Sequence, residues 1–399
     1  MSTIQPVTEN NPRFQSENRV FYPALDGLRA IAFFMVFLQH YMYIPWGNSG
    51  VNLFFVLSGF LITGILWDTR DSPHRARNFY IRRTLRIFPL YYGIFLVLLL
   101  LTPLLHWQWS KYWMAWPLYL GNYLRFFNPS AAQSGSVLQL AADAGLFLGR
   151  SATGGHINLG HFWSLCVEEQ FYLLWPWVVF SIPSRRALLW LSSIVVLVLP
   201  FLRFFMQPHL SAWLLKEEIF YRLTPFELDS LLLGAVLALL WRSPSRQRML
   251  SFAQRITPFA LLVCAAAYVW TARHSPDAFG EFRFPTWRWT FGLSLTNALS
   301  AILIVCALRP ETWVYRAMSV SWIRSVGRIS YGAYIFHDIY DSRAHDIFRN
   351  AFPVFVHTHR FASGLFVAVP CLIVTLLLAS LSFRFFESPF LNLKEKFSR

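Results

Sequence analysis

Runs of about twenty mostly apolar residues recur along the chain, separated by short polar stretches rich in arginine. A helix of that length spans roughly 30 Å, the hydrocarbon thickness of a bilayer, so each run predicts a membrane-crossing helix. Ten runs are read this way: 22–43, 51–67, 88–106, 162–181, 187–206, 223–241, 256–272, 288–308, 327–342 and 362–383. Alternating strands of barrel length do not occur, which argues against an outer-membrane barrel. The expected fold class is an all-α polytopic membrane protein with about ten transmembrane helices.

The segment 107–160 breaks the rhythm, being rich in Trp, Gly, Asn and Ser and long enough to need structure of its own. Its short apolar piece 114–127 is not counted as a span, because it is too short and because including it would reverse every later loop. Without it, Lys and Arg fall on the leader side of the membrane by roughly two to one, which predicts that both termini are cytoplasmic. Residues 1–21 read as a polar, disordered leader, 22–390 as the transmembrane domain and 391–399 as a cytoplasmic tail. That leader and the length of the first run do not fit a cleavable signal peptide.

Composition sharpens this picture in two places. The formal charge of +15 would suggest nucleic acid in a soluble protein, but the basic residues lie in short inter-span loops and act as topology signals, so no nucleic-acid partner is expected. The four cysteines each fall in a different apolar run, so buried packing is expected of them and disulfides are not.

Within the first run, YPALDGLRAIAFFMVFLQHYMY, Arg29 and His40 are conspicuous. Eleven helical steps make about three full turns, so both side chains project from one face, roughly 16 Å apart along the axis. An ionisable pair inside a membrane helix marks a pathway or a site by default, although each end of this one also lies where it can snorkel to an interface. Asp26, one turn before Arg29, is placed to neutralise it.

Two further clusters carry chemistry. The loop after the second run holds Arg70, Arg75, Arg77, Arg82, Arg83 and Arg86, ending RRTLRIFPLYY. If the third helix begins early, Arg82 and Arg86 share a face, and guanidinium forks at a helix start suit phosphates or lipid head groups. The fourth run opens GHFWSLCVEEQFYLLWP, which puts His161, Ser164 and Glu168 on one helical stripe, with Glu169 one step round. An acid there can orient His40 or pair with Arg29. His337, in SYGAYIFHDIY, is a candidate to line the same cavity. Glu387, in FFESPF, sits on the arginine side, where it can pair with the basic loop. No HExxH, Cys/His cluster, GxGxxG or Walker loop is present, so no metal is expected.

Taken in order, YPALDGLRA with its Arg29–His40 spacing, GVNLFFVLSGFLITGIL, RRTLRIFPLYY, FWSLCVEEQFYLLWP, GRISYGAYIFH and the closing FES-P strongly resemble the acyltransferase 3 family over about 22–390. The resemblance implies an integral membrane O-acyltransferase of the bacterial cytoplasmic (inner) membrane. Its donor would be cytoplasmic acyl-CoA, usually acetyl-CoA, and its acceptor a hydroxyl of a surface polysaccharide, another glycan or a small molecule such as a macrolide. By the family pattern His40 is the essential histidine and Arg29 its partner, Arg82, Arg83 and Arg86 are the basic motif at the CoA end, and Glu168 and Glu169 are the acids of the fourth-span motif. Two positions depart from the pattern. Asn52 stands where many members have Asp, and Asp338-Ile339 follows His337 where His-x-Pro is common.

On this reading His40 acts as general base on the acceptor hydroxyl, Glu168 or Glu169 orients it, and Arg29 stabilises the pantetheine arm or the developing oxyanion. The competing class is a transporter or flippase for a glycolipid-like substrate that uses Arg29 and His40 as a proton relay.

Overall fold

The computed structural model describes residues 22–42, 44, 46–109, 112–126, 147–151, 156–211, 214, 218–274, 288–393 and 397. The leader 1–21 and most of the tail lie outside the described residues. The helices that build the site are α1 (Pro23–Met42), α2 (Ser49–Asp68), α3 (Arg75–Leu105), α4 (Trp163–Ser181), α5 (Arg185–Met206), α6 (Thr224–Trp241), α7 (Arg246–His274) and α8 (Leu293–Ala307). They are followed by α9 (Ser321–Arg328), α10 (Ser330–Phe336), α11 (Asp341–Ala351) and α12 (Arg360–Leu381).

Six helical stretches are long and apolar enough to cross a membrane: α2, α3, α6, α5 continued to His209, α8 with the π-helical turn from Trp289, and α12 continued to Leu393. Their apolar side chains also cover the outer surface, as with Trp190, Leu197, Phe201 and Phe205 on α5, which suits contact with lipid rather than water. The chain is a multi-pass membrane protein. α1 and α4 have nearly the same length but hold Asp26, Arg29, His40, Glu168 and Glu169, the polar groups the site is made from.

Three sequence expectations are corrected here. The third helix starts at Arg75 and not near 88, so most of the arginine loop is helical and Pro89, the second residue of the apolar run, lies well inside the helix. The ninth apolar run is not one helix: α9 stops at Arg328, α10 runs only from Ser330 to Phe336, and a turn follows before α11. Finally, part of the segment 107–160 is a small antiparallel sheet in the order β1 (Trp107–Trp109), β2 (Phe147–Ser151), β3 (His156–Asn158), where only helices were expected. Trp107 pairs with Ser151 and Phe147 with Asn158. The piece beginning at 114 forms only short 3₁₀ turns and is not a span.

Close approach of helices explains the tightest packing. A Cβ on Gly59 of α2 would lie 1.8 Å from the Leu231 carbonyl oxygen of α6, and one on Gly234 would lie 2.2 Å from that of Val56. Small residues let membrane helices meet backbone to backbone, where dispersion replaces the missing hydrophobic driving force. The same device holds α1 to α9, since a Cβ on Gly327 would fall 1.8 Å from the Asp26 carbonyl oxygen.

Arg203, an isolated charge in the fifth apolar run, finds its partner in the fold. Its guanidinium makes a two-pronged pair with Asp229, at 3.1 and 2.7 Å, and donates to the Phe226 carbonyl and to Ser294. Both side chains are fully buried, so the pair ties α5, α6 and the start of α8 together. Beside it Asn52 donates to Glu227 at 3.4 Å and to Asn297 at 3.0 Å, joining α2 to the same knot. Asn52 is thus a hydrogen-bond donor from α2 to two other helices. Cys166, Cys306 and Cys371 are free and buried, as packing residues would be.

Candidate active site

α1 carries its polar groups at opposite ends. Near its start Arg29 donates to Asp26 at 2.7 Å, the local neutralisation its spacing predicts. Near its end His40, about a third exposed, places Nδ1 3.2 Å from Oδ1 of Asp338. Asp338 follows α10 in the turn before α11 and is itself 1% exposed. Its other oxygen lies 3.2 Å from Nδ1 of His161 and accepts from Asn158 Nδ2 at 3.1 Å. One carboxylate therefore sits between two imidazoles, and the strand residue Asn158 fixes its angle.

The tautomers follow from the partners. His161 Nε2 lies 3.1 Å from the Ile335 carbonyl while Nδ1 faces Asp338, and both of these are acceptors. His337 directs Nδ1 at the Tyr334 carbonyl, 2.6 Å away, which leaves Nε2 as the lone-pair nitrogen without a hydrogen-bond partner among the described residues. Its ring centre lies 5.0 Å from that of His40 and 4.9 Å from that of His161, so three imidazoles share one buried patch.

Beneath this patch a cavity of about 230 Å³ runs between α1, α2, α3, α4 and α10. Its lining is mostly apolar, with Arg29, Arg83, Arg86, Glu168, Glu169 and Ser164 among its polar groups. The Ser164 hydroxyl meets Tyr334 Oη at 2.5 Å, and Tyr334 Oη donates to the His161 carbonyl at 3.0 Å. Tyr334 also packs against His337, with ring centres 5.2 Å apart. It is the junction between cavity and histidine patch; His40 itself does not line the cavity.

The expected residues therefore divide into two groups. Arg29, Arg83, Arg86, Glu168, Glu169 and Ser164 line the cavity, while His40, His161 and His337 gather beyond Tyr334. Arg82 does not line the cavity: with α3 already helical at this point, Arg83 and Arg86, three residues apart, take the inner face. Arg83 stacks 4.0 Å above the Tyr172 ring, and its charge acts on Glu168 and Glu169. The acid that orients His40 in the structure is Asp338, where Glu168 or Glu169 was expected. Glu387 accepts from Ser382 at 2.9 Å, in a π-helical turn that extends α12, and the charge of Arg86 also acts on it.

Sequence reading missed Asp338 as a partner, noting it only as a departure from a familiar ending. The available signal was a lone acid beside a histidine in an apolar run, which must find a partner when buried.

Chemically, the arrangement sets a largely apolar cavity with three guanidiniums beside an acid–base patch, with Tyr334 between them. A family model described as an acyltransferase domain matches residues 22–384. The chain is 27% identical over 404 residues to the "Putative peptidoglycan O-acetyltransferase YrhL" of Bacillus subtilis (strain 168), covering 94% of this chain and 56% of that protein. It is equally 27% identical to the "Putative O-acetyltransferase SACOL0978" of Staphylococcus aureus (strain COL), over 93% of this chain and 57% of that one. Against the "Peptidoglycan O-acetyltransferase OatA" of Listeria monocytogenes serovar 1/2a the identity is again 27%, over 93% and 56%. The chain thus spans little more than half the length of these relatives. No solved structure matches. With the family model covering nearly the whole chain, the chain belongs to the acyltransferase 3 family.

Proposed function

We propose that the protein is a membrane O-acyltransferase. It would move an acyl group, acetyl in the first instance, from cytoplasmic acyl-CoA to a hydroxyl of a carbohydrate-type acceptor on the far side of the bacterial cytoplasmic membrane. The observation that carries this reading is the cavity itself, which has three guanidiniums along it and Tyr334 where it abuts the histidine patch. Guanidiniums suit the phosphates of CoA, and an apolar passage suits its pantetheine arm. The roughly 16 Å axial offset between Arg29, which lines the cavity, and His40, which lies beyond it, is comparable to the length of that arm. With a cytoplasmic N-terminus, as the charge bias of the loops suggests, the arginines after the second helix would lie on the donor side.

In the proposed step His40, with Nδ1–H held by Asp338, accepts the acceptor's hydroxyl proton on Nε2. The oxygen attacks the thioester carbonyl, a C–O bond forms and the C–S bond breaks. The imidazolium then returns its proton to the departing thiolate. Arg29 supports the pantetheine or the developing oxyanion, while Glu168 and Glu169 balance Arg83 in the donor cavity. The relatives' names supply peptidoglycan as one acceptor of the carbohydrate class.

Purified protein in detergent, given radiolabelled acetyl-CoA and candidate glycans, tests this reading. Release of free CoA that depends on the acceptor supports it. Substrate movement across proteoliposomes without thioester cleavage would replace it with the flippase reading.

A further inference from the structure

The transfer step needs a donor for the oxygen of the thioester carbonyl, where negative charge gathers as the acceptor attacks. Arg29 lies roughly 16 Å along the α1 axis from His40 and already donates to Asp26, which suits the pantetheine arm better than the reacting carbon. A donor nearer the histidine patch is required.

Three tyrosines line the cavity among the described residues, and their hydrogen bonds separate them. Tyr172 and Ser58 bond to one another and to Glu168, with Arg83 stacked on the Tyr172 ring, so they belong with the charged groups. Tyr331 gives its proton to the Ile87 carbonyl at 2.8 Å. Tyr334 differs in two ways. Its ring abuts those of His337 and His161, at 5.2 and 5.6 Å between centres, which puts it against the histidine patch. Its proton is also replaceable, because Ser164 donates to the same His161 carbonyl, at 3.2 Å against 3.0 Å for Tyr334, while the two hydroxyls meet at 2.5 Å. Two hydroxyl protons thus serve three contacts. When Tyr334 turns its proton to an incoming oxygen, Ser164 keeps the carbonyl satisfied and only the contact between the hydroxyls is lost. A hydrogen bond to a developing oxyanion is stronger than the neutral one it replaces.

The reach fits as well. His337 bridges the rings of Tyr334 and His40 in steps of 5.2 and 5.0 Å. An acceptor oxygen bonded to His40, poised on a carbonyl held by Tyr334, spans at most about 10 Å from imidazole nitrogen to phenol oxygen. The acyl carbon need only come to Tyr334, which accounts for a cavity that stops short of His40.

We propose that Tyr334 is a catalytic residue whose phenol donates to the thioester carbonyl oxygen, with Ser164 as its positioning partner. The assignment rests on the transfer reading and leaves Arg29 to the pantetheine arm. As the new C–O bond forms, the carbonyl electron pair collects on oxygen, and Tyr334 holds it without giving up its proton. Collapse restores the C=O bond and expels the CoA thiolate, which takes the proton from His40.

Acetonyl-CoA, a stable ketone standing in for the donor and carrying an isotope-labelled carbonyl, tests this when bound in detergent and read by infrared difference spectroscopy. The carbonyl stretch is expected at lower frequency in wild type than in Tyr334→Phe, and lower still with a ring-fluorinated, more acidic tyrosine at position 334. In transfer from acetyl-CoA to muropeptides, kcat should fall about a hundred- to a thousandfold in Tyr334→Phe and less in Ser164→Ala, with the KM for acetyl-CoA near wild type. An identical stretch in wild type, Tyr334→Phe and the fluorinated protein, or wild-type kcat in Tyr334→Phe, would overturn the role of Tyr334 and leave the transfer reading intact. Loss of acetonyl-CoA binding in Tyr334→Phe would likewise overturn it, making the ring part of the cavity wall only. Wild-type protein that neither binds acetonyl-CoA nor releases CoA would sink the transfer reading and this assignment with it.

Discussion

Oδ1 of Asp338 stands 3.2 Å from Nδ1 of His40, although the two residues come from opposite ends of the chain. That contact closes the first helix onto the turn between α10 and α11 and turns a lone intramembrane imidazole into one of defined orientation. Asp338→Asn should therefore lower kcat by about ten- to a hundredfold, within the range of a positioned acid–base group, and leave the KM for acyl-CoA close to wild type. His40→Ala should remove transfer altogether. Full activity in a folded His40→Ala protein would refute its assigned role.

The cavity discriminates among the three arginines of the basic motif. Arg86→Ala and Arg83→Ala each delete a guanidinium facing the cavity, and a lost charge-assisted bond of about 1.5–3 kcal/mol raises the KM for acyl-CoA by roughly ten- to a hundredfold. Arg82→Ala should change it little. Steady-state kinetics on the three variants decide the matter, and equal effects at all three positions would mean that the donor binds outside this cavity.

The buried pair of Arg203 and Asp229 gives a stability prediction independent of activity. Asp229→Asn strands a guanidinium among α5, α6 and α8 and should destabilise the fold by about 3–5 kcal/mol, seen as an earlier melt in detergent. Replacing both members by apolar residues of similar volume should recover most of the loss. A single variant that melts with wild type would show the pair to be energetically silent.

Gly59 tests the contact between α2 and α6. The added methyl of Gly59→Ala would meet a backbone oxygen that no rotamer change can move, so the helices must part. A cost of about 1–3 kcal/mol is expected, with reduced yield of monodisperse protein. Gly64→Ala makes a fair control, because there the nearest atom is the end of the Arg242 side chain, which can swing away.

How far the sequence carried can be judged from particular residues. The eleven-residue step from Arg29 to His40 fixed their shared helix face, because helical period and rise are properties of the backbone. Apolar length located most of the helices to within a few residues. It failed at 327–342, where Gly327 packs against the backbone of α1 and the helix breaks for a reason no hydropathy window contains. It also failed at Pro89, since a proline can be accommodated inside a membrane helix when its surroundings satisfy the freed carbonyl.

By itself, then, the sequence determined the membrane-helical class, the order of the motifs and the residue types able to do acid–base and anion chemistry, because composition and period act locally along the chain. Only the tertiary structure decided partnership. It gave His40 to Asp338 instead of Glu168, admitted Arg83 and Arg86 to the cavity without Arg82, and brought Asp341 beside a histidine of the first helix. Partnership between distant residues depends on which helix faces meet, and that is set by packing over the whole bundle.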